Sequence, residues 1–109
     1  MPVPKLLFLC SRNQWRSRTA ETIFRDDPRL EVRSAGTAPS ARIRVSRRLT
    51  DWADLIFVME RRHLDHLHQR FGREALPEVI ILDIPDDYRY MDPELVAELR
   101  LSVASYLSD

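Results

Sequence analysis

The sequence predicts an α/β fold: a single three-layer domain, residues 1–109, with a four-stranded parallel sheet and helices on both faces. Three observations lead there. Short apolar runs alternate along the chain with segments of helical spacing. The runs are continuous rather than strictly alternating, as strands covered on both faces require. The length, 109 residues, suits one domain and leaves no room for a second.

The elements follow in order. Lys5–Cys10 (KLLFLC) reads as a buried strand. Thr19–Arg25 places Ala20, Ile23 and Phe24 at helical spacing, and Asp27–Pro28 ends it. Leu30–Ala35 is the second strand, closed by Gly36. Residues 38–48 are polar and Arg-rich, a loop running into a helical turn through Arg47–Trp52. Asp54–Met59 (DLIFVM) is the third strand. Arg61–Phe71 is a helix with Leu64, Leu67 and Phe71 on one stripe, stopped by Gly72. Glu78–Leu82 is the fourth strand, and Asp83–Met91 an acidic loop bearing Tyr88 and Tyr90. Asp92 caps the last helix with Pro93 at its first position, and Leu95, Leu99, Val103 and Tyr106 or Leu107 form its apolar face. Parallel sheets bind ligands beyond the carboxyl ends of their strands, which here are followed by 10–18, 36–40 and 83–91. The chain after Met59 enters a helix almost at once.

Composition narrows the function. With 44% hydrophobic and 31% charged residues the chain is an ordinary globular protein. Its longest unbroken apolar runs, such as Leu6–Cys10 and Leu55–Met59, are too short to cross a bilayer, so no membrane partner is expected. One lysine and a short apolar run precede polar Ser11–Arg12, which is no secretory signal, and the cytoplasm is the expected compartment. The net charge of +0 argues against nucleic acid as a main partner. The charge is nevertheless divided: residues 1–73 hold 15 Lys+Arg and 8 Asp+Glu, and residues 74–109 hold 2 and 9. That division suggests a basic site for an anion, with acidic groups brought to it from the far end. The single cysteine, Cys10, excludes an internal disulfide and a cysteine-based zinc site. His63, His66 and His68 have no carboxylate or cysteine spaced to complete a metal site and read as a solvated helix surface, so no metal or other cofactor is expected.

The chemistry concentrates between the first strand and the first helix, in Cys10-Ser11-Arg12-Asn13-Gln14-Trp15-Arg16-Ser17. A loop closing onto a helix N-terminus turns backbone N–H groups inward, and the helix dipole favours an anion there. A cysteine at the start of the loop meets the same positive potential, which favours its nucleophilic thiolate. Arg16 can grip two phosphate oxygens in fork geometry, and Ser17 can donate to the sulfur. Residues 11–17 together would form the phosphate cradle. The loop has no glycine, so a left-handed residue in it falls best to Asn13. Trp15 shapes or shields the rim. Tyr88 and Tyr90 either line the pocket or pack their loop onto the body.

These residues resemble the signature of the low-molecular-weight protein tyrosine phosphatases, C-x-G-N-x-C-R-S followed by x-x-A-E. Cys10, Asn13, Arg16, Ser17, Ala20 and Glu21 match it. The likeness continues through Ser34-Ala35-Gly36-Thr37, through Ala53–Met59, and through Ile84-Pro85-Asp86-Asp87-Tyr88, which is similar to the family's Asp-Pro-Tyr loop. It implies a cytoplasmic, cofactor-free hydrolase of phosphotyrosine proteins or small aryl phosphates, releasing inorganic phosphate by way of a phosphocysteine. It implies Cys10 as nucleophile, Arg16 as clamp and Asp86 as general acid, with Asp87 the other candidate for the acid. Asn13 would be held by a hydrogen bond to Ser34, and Ser17 and Tyr88 would support the site.

The chain departs from the pattern in four ways. Arg12 stands for the glycine, Trp15 for the second loop cysteine and Asp87 for the proline after the acid, and the segment after Thr37 is short. Two other functions fit the same residues. One is an arsenate reductase using an external thiol, since no cysteine follows Cys10. The other is a non-catalytic phosphate- or phosphoprotein-binding module, which would need neither thiol nor acid.

Overall fold

A computed structural model describes residues 3–107. Its elements run β1 (Lys5–Cys10), α1 (Arg16–Phe24), β2 (Glu31–Gly36), α2 (Arg47–Trp52), β3 (Leu55–Val58), α3 (Arg61–Phe71), β4 (Glu78–Ile81) and α4 (Pro93–Leu107). All strands are parallel, in the order β2-β1-β3-β4, with β1 paired to both β2 and β3. The expected sheet is therefore the observed one.

The period of two along β1 divides the core. Leu6, Phe8 and Cys10 face one side, where Ala20 and Phe24 of α1 and Leu95, Leu99 and Val103 of α4 cover them. Leu7 and Leu9 face the other, with Val45, Ala53 and Leu67 of α3. Both faces of the central strands are thus dry, which is why their sequences are continuous apolar runs. Tyr106 of α4 meets Phe57 edge-on at 5.3 Å. The side chain of Leu107 lies outside the described residues.

Phe8 stands at the centre of the first layer, stacked against Phe57 at 4.9 Å and Phe24 at 5.9 Å. Its removal leaves a void that three elements frame. Phe8→Ala is expected to cost about 3–5 kcal/mol. A fall in the urea midpoint with an unchanged slope checks this, and a loss below 1 kcal/mol would mean that the layer collapses around the gap.

Several boundaries move from their expected places. The first helix begins at Arg16 rather than Thr19, because the loop after β1 closes straight into it. Leu30 precedes β2, and Asp54 and Met59 flank β3. Asp54 instead accepts the Lys5 N–H at 2.9 Å. Glu94 N–H donates to Asp92 Oδ1 at 2.9 Å, the expected cap of α4, and Gly72 ends α3 at φ 79°.

The sheet order places the site. The chain leaves β1 toward β2 on one side and returns to β3 on the other, so a crevice opens at the carboxyl ends of β1 and β3. Cys10 is the last residue of β1, and Glu60 follows β3 by two residues.

Candidate active site

Beyond Cys10 the chain turns through residues 11–15 before α1 starts. The carbonyls of this loop face outward and are taken by the segment after β2. Thr37 N donates to Cys10 O at 2.9 Å, Ala38 N to Ser11 O at 2.8 Å and Arg42 N to Arg12 O at 3.0 Å. Arg42 Nε adds a bond to Asn13 O at 3.1 Å. Among the described residues the amides of 11–16 donate to no carbonyl. With its carbonyls bound outside, the loop directs its N–H groups toward its own centre, as an anion site requires. Gly36 permits the close contact: a Cβ there would lie 2.5 Å from Ser11 O and 2.7 Å from Ala41 Cβ.

The left-handed residue of the loop is Asn13, at φ 57°. Its side chain is buried beneath the loop and is not among the cavity-lining groups. Asn13 Nδ2 donates to Ser17 Oγ at 2.8 Å and to Ser34 Oγ at 2.9 Å, and Ser34 in turn donates to Glu21. The Ser17 proton then has two acceptors, Cys10 Sγ at 3.0 Å and Ala35 O at 3.2 Å. Ser17 and Ser34 therefore support the sulfur from below rather than line the cavity. Cys10 itself is a free, buried thiol.

Above the sulfur is a cavity of about 390 Å³. Cys10, Ser11, Arg12, Gln14 and Trp15 form its loop side. Arg16, Arg62 and Asp86 complete it. Trp15 stands on the rim, 40% exposed.

Arg16 is 2% exposed, an unusual depth for a guanidinium, and its partners explain it. Nη1 donates to Glu60 Oε1 at 2.6 Å and to Ile84 O at 2.8 Å. That occupies Nη1, and among the described residues Nε and Nη2 donate no hydrogen bond. Asp86, 52% exposed, comes from the acidic loop to lie 3.6 Å from Arg16 Nε. Asp87 is exposed and does not line the cavity. Tyr88 packs against the core cluster, and Tyr90 bonds Thr22 at 2.9 Å beneath the Arg18 guanidinium, so neither lines the cavity.

The histidine reading requires a correction. His66 and His68 are partly exposed, but His63 is 1% exposed and belongs to the site. It sits at the third position of α3, where its side chain turns back to the helix start. Glu60 N–H donates to His63 Nδ1 at 3.0 Å, while the Glu60 side chain accepts the His63 N–H in return. With Nδ1 accepting, the neutral ring carries its proton on Nε2 and donates it to Ser11 Oγ at 3.0 Å. This reciprocal cap therefore grips the loop twice, at Ser11 through His63 and at Arg16 through Glu60. Glu60 and Arg42 were also absent from the expected site. A Glu-x-x-His spacing behind a strand was the available signal, obscured because glutamate is an uncommon N-cap. Among the described residues no three His, Cys, Asp or Glu side chains are grouped to hold a metal.

Two groups in this cap give the fold an acid limit. Burial chiefly, with Arg16 and Arg62 nearby, pushes His63 down to about 4. Hydrogen bonding to Arg62, then Arg16, holds Glu60 near about 2 against its burial. The unfolded chain binds more protons than the folded one in both cases, so stability rises with pH. The His63 contribution is complete above pH about 6.5 and is lost between 6.5 and 4; that of Glu60 is lost from about 4.5 toward 2. Wild type is expected to lose on the order of 2–3 kcal/mol from pH 7.5 to 4.5, and His63→Gln to lose much less. Urea midpoints across that range check it, and equal slopes for the two proteins would remove His63 from the acid response.

No protein-family model and no curated protein sequence matches the chain. Solved structures do. The tyrosine phosphatase Wzb from Escherichia coli K30, in complex with phosphate, superposes with a TM-score of 0.77 at 22% identity, over 96% of each chain. A low molecular weight phosphotyrosine phosphatase from Vibrio cholerae O395 gives 0.74 at 21% identity, over 94% of this chain and 95% of its own. The YwlE arginine phosphatase from Geobacillus stearothermophilus gives 0.76 at 21% identity, over 95% and 90%. The chain has the fold of these phosphatases.

Proposed function

We propose that this chain, one domain over residues 1–109, is a cysteine-dependent phosphatase acting on phosphotyrosine or small aryl phosphate monoesters. The observation that carries the reading is the convergence of a free thiol, an inward-facing amide loop, an arginine with one open edge and a carboxylate on a single cavity. A binding module needs the cradle but neither the sulfur nor the carboxylate.

In this reading the phosphate sits on the amides of residues 11–16, with two oxygens on the Nε–Nη2 edge of Arg16. The Cys10 thiolate attacks phosphorus in line, and the bond to the phenolic oxygen breaks as Asp86 delivers a proton to it. Ser17, pressed on its other side by the Asn13 amide, donates to the sulfur and steadies its charge in both directions. Water then attacks the phosphocysteine, giving a proton to Asp86 and releasing phosphate and the thiolate. Ser11, accepting from His63, keeps its own hydroxyl proton for the anion. The indole of Trp15 on the rim offers an aryl leaving group a flat apolar face. The arginine-directed activity belongs to the Geobacillus protein by name.

Alkylation tests the reading directly. Iodoacetate, itself an anion, is expected to modify Cys10 within minutes near neutral pH, to abolish turnover of para-nitrophenyl phosphate in step, and to be slowed by inorganic phosphate. Slow modification without protection would make Cys10 an ordinary core thiol.

A further inference from the structure

The cavity holds more positive charge than one phosphate requires. Three of its lining residues are arginines, and they are placed differently. Arg16 lies underneath, oriented by Glu60 and the Ile84 carbonyl. Arg62 comes from the first turn of α3, is more than half exposed, and shares with Arg16 the single carboxylate of Glu60. Arg12 lines the cavity from the loop, exposed, with no ion pair or side-chain hydrogen bond among the described residues. Its backbone is anchored, since Ser11 O and Arg12 O are both bound by the segment after β2. Three guanidinium groups thus meet two carboxylates, Glu60 and Asp86, and Asp86 is uncharged whenever it serves as the acid. The surplus lies at the mouth, on side chains that reach outward, while the scissile phosphate is held by amides and Arg16 below.

We propose that Arg12 and Arg62 form a second anion-binding subsite at the mouth of the cavity, which selects phosphotyrosine flanked by acidic residues. The inference rests on the phosphatase reading above. A phosphotyrosine ring spans the depth of the cavity and leaves the neighbouring peptide residues at the rim, where carboxylates meet Arg12 and Arg62. Each exposed guanidinium–carboxylate pair contributes a few-fold, so the two together give a preference of about tenfold at low ionic strength, which salt erases. Lysine or arginine beside the phosphotyrosine is disfavoured by the same charges.

Three phosphotyrosine peptides test this, alike except that the flanking residues are Asp/Glu, Asn/Gln or Lys/Arg. kcat/KM is measured by phosphate release for wild type, Arg12→Gln, Arg62→Gln and the double variant, each normalised to that protein's own turnover of para-nitrophenyl phosphate. Wild type is expected to favour the acidic peptide over the neutral one by about tenfold at low salt, mainly through KM. The preference should fall below about twofold in the double variant and at high salt. Equal rates on acidic and neutral peptides, or a preference that survives in the double variant, overturns the subsite. Calorimetric affinities of the same peptides for the Cys10→Ser protein separate the two readings. A binding preference without wild-type turnover keeps the subsite and overturns the phosphatase; turnover without preference does the reverse. Failure of every peptide to bind overturns the subsite as well.

Discussion

Cys10→Ser is expected to lower turnover of para-nitrophenyl phosphate by roughly 10³-fold or more while vanadate or phosphate still binds. The two halves of this result have separate physical origins. In the proposed reading the anion rests on the loop amides and on Arg16, and none of these groups involves the sulfur. The reaction needs a nucleophile, and a serine hydroxyl in the same place is a far weaker one than a cysteine sulfur. The loop should survive the exchange, because Asn13, Ser34 and the bonds from 37–42 hold it independently of the side chain at position 10. Turnover and anion affinity measured on one preparation decide the matter. Activity above a tenth of wild type would show that Cys10 is not the nucleophile. Loss of anion binding together with activity would mean that the sulfur position shapes the cradle.

Asp86→Asn should slow hydrolysis of substrates with poor leaving groups by roughly 10²–10⁴-fold, the range for a lost general acid. The loss should shrink on aryl phosphates whose phenolate departs easily, because these need little protonation. Asp86 lines the cavity 3.6 Å from Arg16 Nε, whereas Asp87 points elsewhere. Asp87→Asn should therefore act weakly, through the charge it places beside Asp86. The dependence of rate on leaving-group pKa, taken for both variants, separates them. A steeper slope for Asp87→Asn with an unchanged one for Asp86→Asn moves the role one residue along. Unchanged slopes for both leave the acidic loop a recognition or structural part only.

Much of this molecule is local information. The apolar runs at Lys5–Cys10 and Asp54–Met59 identify buried parallel strands because nothing else suits a continuous run of that length between polar turns. Leu64, Leu67 and Phe71 before Gly72 define α3 to the residue. The run from Cys10 to Ser17 carries its chemistry in its spacing, since a strand–loop–helix turn brings residues seven apart to one point. Even the left-handed position was readable, as Asn13 is the one residue of a glycine-free loop suited to it.

The Asn13–Ser34 bond and the place of Asp86 came through the family resemblance, and the other contacts across the sheet stayed hidden. Arg42 is one of several arginines in a polar loop, and only the return of the chain after β2 lays its backbone and guanidinium on the outer carbonyls of residues 12 and 13. His63 looked like helix surface, because its exposure depends on what stands beyond the start of α3, and that is Ser11, 52 residues away. Glu60 gained its meaning from Arg16, 44 residues distant, once β1 and β3 became neighbours. Sequence by itself determined which segments are strands and helices and which loop could hold an anion, since both follow from periodicity and short-range backbone geometry. Tertiary structure alone decided that Glu60, Arg62 and His63 join that loop, because strand order, and not chain order, sets what stands at the carboxyl ends of β1 and β3.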